Sequence, residues 1–160
     1  MLMNLEFDTI YKENYLRLFK VASKMLHDSD AAKDVVQDVF MAYFLFKDDN
    51  SKIHNFKSWL LRATVNKSID YANRRKKFAG VETLMTKIDE APSQEQNIEK
   101  TIIETAIDKL STREKSLIIL YSEGYSYKEI AQITDIKFTS VGKLLARALE
   151  KLKIMINDKI

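Results

Sequence analysis

Between Phe7 and Met25 the apolar residues Phe7, Tyr11, Tyr15, Leu18, Ala22 and Met25 recur three or four apart, which predicts a first amphipathic helix. A second helix is expected to start at a Ser29/Asp30 cap and to bury Val35, Val36, Val39, Phe40, Tyr43 and Phe44. At 100° per residue its opposite side collects Asp34, Gln37, Asp38, Met41 and Leu45, so acids share one surface with large apolar groups. Such a mixed face suits a protein partner, the plainer alternative being an exposed Met and Leu of no consequence.

Lys47 to Asn55 holds Asp48, Asp49, Asn50 and Ser51 and reads as a loop. A third helix follows from Phe56 to Lys77, with the aliphatic stripe Leu61, Val65, Ile69 and Ala72. Trp59, Asn66, Asp70 and Asn73 lie on its far side beside Arg62 and Arg74. Amides and guanidinium groups there can bond bases and phosphates, and an indole can stack on an unpaired base, although Trp59 reads as a core residue first. Phe78 to Gln96 has Gly80, the sole proline Pro92 and scattered acids without an apolar period, as an interdomain linker would; a short helix around Val81 to Ile88 is the alternative.

From Asn97 onward Ile98, Ile102, Ile103, Ala106 and Leu110 mark another helix, and three more are expected after it. Ser111 with Glu114 and Ser126 with Glu129 match the capping box, in which hydroxyl and carboxylate satisfy unpaired backbone donors at a helix start. Gly124 should close the helix between them. Ala131, Ile136, Val141 and Leu145 then fit a helix-turn-helix, with Lys137 near the start of its second helix. On that helix Val141, Leu145, Ala148 and Leu152 face inward, whereas Thr139, Lys143 and Arg147 face outward, flanked by Ser140 and Lys151. This outward face can enter a major groove; a helical hairpin with basic solvent residues is the alternative. The expectation is therefore an all-α chain of two small helical lobes, residues 1–78 and 97–160, joined by a linker at 79–96.

Composition narrows the function. Three glycines and one proline in 160 residues are too few for the turns of a sandwich or barrel. No cysteine excludes a disulfide framework or thiolate metal site and suggests a reducing, cytoplasmic setting. His27 and His54 have no ligand spacing and read as surface residues, so no metal, no cofactor and no catalytic activity is expected. The longest apolar run, Val39 to Phe46, is too short to insert into a membrane. The net charge of +3 is small, yet residues 57–77 carry seven basic groups and one acidic, and residues 137–153 five and one. These two cationic stretches flank a middle segment, 81–110, with seven acids and three bases. Two basic patches at motif-like positions are the expected footprint of polyanion binding, although each could also be a solvated helix face.

In this order the motifs resemble the extracytoplasmic-function class of bacterial RNA polymerase sigma factors, from about Phe7 to Lys153. DVVQDVF (Asp34 to Phe40) is similar to the family's polymerase-clamp-binding helix. FKSWLLRATVNKSIDYANRRKK is similar to its promoter-melting helix, which reads the minus-ten element. Leu110 to Lys153 resembles its C-terminal lobe, which reads the minus-thirty-five element. The resemblance implies core RNA polymerase and promoter DNA as partners and, as in many members, an anti-sigma factor. It puts Asp34, Gln37 and Asp38 on the clamp coiled coil, with Met41 and Leu45 extending the contact. It implies that the loop bearing Lys52 and Asn55 captures a flipped minus-ten base, with Arg62, Asn66, Arg74, Arg75, Lys76 and Lys77 near the opened strands. Lys137, Thr139, Ser140, Lys143 and Arg147 would serve the minus-thirty-five element, Thr139 and Ser140 through backbone phosphate.

The chain departs from the family where glycine is common and it has Thr139, and where basic residues are common and it has Gly142 and Leu144. The promoter sequence therefore cannot be carried over from the family. A helix-turn-helix regulator that binds duplex DNA without docking on polymerase is the second reading. In the free chain, attraction between the acidic linker and the basic faces is expected to fold the lobes together and hide their DNA surfaces.

Overall fold

The computed structural model describes residues 2–46, 55–82 and 95–158, with side chains described for 6–46, 55–78 and 101–158. The described residues form seven helices and no strand: α1 (Leu2–Leu26), α2 (Ser29–Phe46), α3 (Phe56–Glu82), α4 (Glu95–Asp108), α5 (Thr112–Ser122), α6 (Tyr127–Thr134) and α7 (Phe138–Asn157). The all-α expectation holds. Helix α3 runs on to Glu82 and α4 starts at Glu95, so helix enters the 79–96 span from both ends. The remainder of that span lies outside the described residues, as do residues 47–54, where a loop is expected, with Lys52 and His54 among them.

Helices α1, α2 and α3 pack on one another around Leu18, Val21, Val36, Val39, Phe40, Leu60 and Val65. Tyr11 lies 4.8 Å from Phe40 between ring centroids, and Trp59 lies half-buried 5.7 Å from Tyr43, so the indole belongs to this core. The corner between α1 and α2 is made by His27, in the left-handed region at φ 53°, which histidine visits more readily than most side chains. The cap of α2 is one residue earlier than expected. Asp28 Oδ1 accepts from the backbone N–H of Asp30 and Ala31, at 3.0 and 3.1 Å, displacing the predicted Ser29/Asp30 cap. Three neighbouring residues could all cap here, and the left-handed turn at His27 brings Asp28 into position.

In the second half α5, α6 and α7 pack together, and α4 lies on α7. Both predicted capping boxes are formed. Ser111 Oγ accepts from Glu114 N while Glu114 Oε2 accepts from Ser111 N, and Ser126 with Glu129 repeats the exchange. Gly124 closes α5 at φ 91°. Val141, Leu145 and Ala148 are buried, and Leu152 and the family-atypical Leu144 are partly buried against the same core.

Gly142 lies close to a neighbour: a Cβ there would meet Tyr127 Cε2 at 3.3 Å. Glycine in a helix interior costs about 1 kcal/mol relative to alanine, whereas the Tyr127 ring is 42% exposed and free to yield outward. Gly142→Ala should therefore raise the thermal midpoint modestly, a gain below about 1 kcal/mol. A lowered midpoint would mean that the ring, 6.4 Å from that of Tyr121, is held in place.

The two halves touch. Five consecutive residues of α5, Ser116 to Leu120, are buried; at 100° per residue they cover its whole circumference, and α5 contacts α1 as well as α6 and α7. Tyr125, just after α5, feels the charge of Arg17 on α1, but its burial outweighs that and pushes its pKa up to about 12.

Candidate functional site

The chain presents three surfaces of distinct chemistry. On α2, Asp34, Gln37, Asp38, Met41 and Leu45 are all exposed along one line, Met41 by 58% and Leu45 by 71%. Val35, Val36, Val39, Phe40 and Tyr43 are buried on the other side of the same helix, so the core anchors this strip. Phe44, expected inside, is 38% exposed: it sits at the rim with its ring edge-on to Phe7 at 5.4 Å. Phe46 adds a further exposed apolar group at the end of the helix. Exposed large apolar side chains interspersed with acids make a surface patch of the kind found at protein interfaces.

The second surface lies on α3. Arg62, Asn66, Arg74, Arg75, Lys76 and Lys77 are exposed, opposite the buried Leu61, Val65 and Ser68. Asn55 stands at the entry to α3 and has a structural duty there: its Oδ1 accepts from Ser58 N at 3.3 Å and its carbonyl from Trp59 N at 3.1 Å. Arg75 pairs with the capping Asp28 at 3.6 Å. Arg62 reaches across to Asp135 in the helix-turn-helix corner at 3.4 Å, and Asn66 lines a cleft with Thr112, Arg113, Ser116 and Thr134.

The third surface surrounds α7. Lys137, Thr139, Lys143 and Arg147 are exposed and Ser140 half-exposed. Lys137, Ser140, Lys143 and Arg147 line one open groove together with Arg113 from α5, Asp135 and Leu144. Lys151 is drawn away: its Nζ donates to Glu114 Oε1 at 2.6 Å, holding that carboxyl below its usual pKa together with the Ser111 backbone bond. Arg113 is the member that sequence periodicity misses, because it belongs to a different helix from the other bases. One local sign was available. A cation in the first turn of a helix opposes the macrodipole, so an arginine inside the capping box S-T-R-E calls for another reason. Phe138, 60% exposed in the first turn of α7, was likewise absent from the expected set.

Among the described residues no group of three or more His, Cys, Asp and Glu could hold a metal, and no helix is long and apolar enough to cross a membrane. The surfaces are suited to binding macromolecules. Comparison with known proteins agrees with their order along the chain. The model of sigma-70 region 2 matches residues 10–78, and that of sigma-70, region 4 matches residues 100–152. The chain belongs to the sigma-70 family. Its relatives include the ECF RNA polymerase sigma factor SigM of Bacillus subtilis (strain 168), 24% identical over 157 residues that cover 94% of each chain. Two solved structures share the fold. CnrH in complex with the cytosolic domain of CnrY has a TM-score of 0.73 at 24% identity, covering 96% of this chain and 89% of that one. The sigma factor RpoE of Bartonella quintana, in complex with the anti-sigma factor NepR, has a TM-score of 0.68 at 24% identity, covering 95% and 97%.

This sigma factor is thus of the extracytoplasmic-function class, a transcription initiation factor that recognises promoters while bound to RNA polymerase. The reading as a regulator independent of polymerase gives way to it. The α2 strip and the α3 face fall within the region 2 match, and the α7 groove within the region 4 match.

Proposed function

We propose that the α2 strip, Asp34, Gln37, Asp38, Met41 and Leu45, is the surface that docks on core RNA polymerase, and that the other two surfaces divide the promoter between them. Arg62, Asn66, Arg74, Arg75, Lys76 and Lys77, with Lys52 and Asn55 from the preceding segment, serve the minus-ten element and its melting. Lys137, Thr139, Ser140, Lys143 and Arg147 serve the minus-thirty-five element. Two units, residues 1–78 and 97–160, carry these tasks, with 79–96 between them. The protein works in the cytoplasm, where the polymerase is. An anti-sigma factor restrains it, as NepR and CnrY each accompany a protein of the same fold.

The observation that carries this reading is the groove of α7. Arg113, Lys137, Lys143 and Arg147 come from separate turns and two helices yet surround one opening of about 490 Å3. Arg113 and Lys137 would neutralise phosphates, which fixes register, while Lys143 and Arg147 reach base edges, which carry the sequence. Phe138 offers apolar contact to a thymine methyl. Thr139 and Ser140 place hydroxyls at the positive end of α7, where a phosphate oxygen is favoured.

Core polymerase supplemented with the purified protein and a library of randomised promoters tests this reading. Transcripts should share two sequence elements upstream of their starts. Replacing Lys143 and Arg147 by alanine should relax only the element farther from the start. Transcripts without a shared element, or none above core polymerase alone, would overturn the assignment.

A further inference from the structure

We propose that Glu114 restrains the grip of the minus-thirty-five groove: its carboxylate holds Lys151, the next cation along the reading side of α7, where a DNA phosphate would otherwise take it. The inference rests on the assignment of that groove to the minus-thirty-five element.

Lys143, Arg147 and Lys151 follow one another at four-residue intervals, so they descend one side of α7 over about 12 Å, turning by about 40° at each step. Lys143 and Arg147 line the open groove, and with them stands Arg113 from the first turn of α5. Glu114 is the residue next to Arg113, and Lys151 is one turn beyond Arg147. The pair they form therefore stands at the edge of the groove, between α5 and the end of the cationic row. Of these three cations of α7, Lys151 is the one paired with an acid among the described residues.

Glu114 is fixed before it meets Lys151. Its Oε2 accepts from the backbone N–H of Ser111 at 3.1 Å, closing the capping box, and its Oε1 accepts from Lys151 Nζ at 2.6 Å. An exposed ion pair is weak partly because two long side chains must be ordered together; here the cap has already ordered one of them. The side chain of Lys151 is 60% exposed, so the acid rather than packing directs it, and its four-carbon stem can swing to a neighbouring phosphate once the acid is gone. An ammonium bound to a carboxylate displaces no counterion from arriving DNA and adds nothing to the salt-dependent part of affinity. A lobe delivered to its element by a docked polymerase is held there by tethering, so it does not need every phosphate contact its cations could make.

Glu114→Gln keeps the cap, since glutamine also serves at this position of the capping box, and removes the charge that holds Lys151. Full-length variants are titrated by anisotropy with a fluorescent duplex carrying the upstream element returned by the promoter selection, and with a duplex of scrambled sequence. Glu114→Gln should bind about fivefold more tightly at low salt, and its log K should fall with log[salt] more steeply by about 0.9, the value of one phosphate contact. Both duplexes should show the gain alike, because a phosphate contact carries no sequence information. Glu114→Gln combined with Lys151→Gln replaces the ion pair by two amides at unchanged net charge, and should return binding to within about twofold of the original. An unchanged salt slope in the single variant, or a gain that survives in the double variant, overturns the inference. Lysine acetylation of the unaltered chain gives a second reading: the duplex should shield Lys143 and leave the reactivity of Lys151 unchanged, and shielding of Lys151 overturns the inference as well. If alanine at Lys143 and Arg147 leaves duplex binding intact, the groove itself is misassigned, a result distinct from whether Glu114 restrains it.

Discussion

Replacing Asp34 and Asp38 together by lysine should weaken binding to core RNA polymerase about a hundredfold or more while leaving the thermal midpoint nearly unmoved. Both carboxylates are exposed on α2, one turn apart, on the side away from the buried Val35, Val39 and Phe40. Their neighbours Met41 and Leu45 are among the most exposed apolar groups of the described chain. An interface of that type has apolar anchors whose contact excludes water, with charges that select the partner and fix its register. Reversal at two positions replaces attraction by repulsion, which is costlier than truncation. Anisotropy titration of labelled protein with core polymerase measures the loss, and circular dichroism checks the fold. Unchanged affinity with intact structure would remove α2 from the docking surface. Alanine at Met41 and Leu45 should produce a smaller loss of the same sign.

Phe40→Ala should remove about 3–5 kcal/mol of stability from the α1–α3 bundle, a large part of the ~5–15 kcal/mol typical of a domain. Phe40 is 2% exposed, and its ring lies 4.8 Å from Tyr11 and 6.3 Å from Phe7 between centroids. The ring occupies the space between α1 and α2, and its two aromatic partners, Phe7 and Tyr11, cannot collapse into the space it leaves without moving α1. Trp59, the sole tryptophan, packs on Tyr43 in this bundle, so its fluorescence in urea follows this half of the molecule. A loss below about 1 kcal/mol would contradict the packing described. Phe40 and Asp38 are two residues apart on α2. The pair of experiments therefore separates the face that holds the helix in place from the face that the helix displays.

Much of this site could be read from the chain because the features concerned are local. Both capping boxes involve groups three residues apart, so their geometry follows once the helix starts. The α2 strip and the α7 face follow from the 3.6-residue period, which puts Asp34, Gln37, Asp38, Met41 and Leu45 on one side whatever the rest of the chain does. Failures occurred where several local choices were similar or where a neighbour in space decided. Asp28, Ser29 and Asp30 can each cap a helix, and the left-handed turn at His27 selects the first. Asn55, placed among DNA contacts by family resemblance, also caps α3. Phe44 lies at the edge of its helix stripe, where burial depends on how far α1 extends over it.

By itself, then, the sequence determined the helical class, the order of the three surfaces and the chemistry each displays, because periodicity, capping and charge act over a few residues. Only the tertiary structure decided that Arg113 of α5 joins the groove of α7, that Gly142 lies against Tyr127, and that Arg62 meets Asp135. Those residues are brought together by helix packing between segments 15 to 73 positions apart. No short-range pattern records which of the available cations, small residues or acids a packed neighbour will meet.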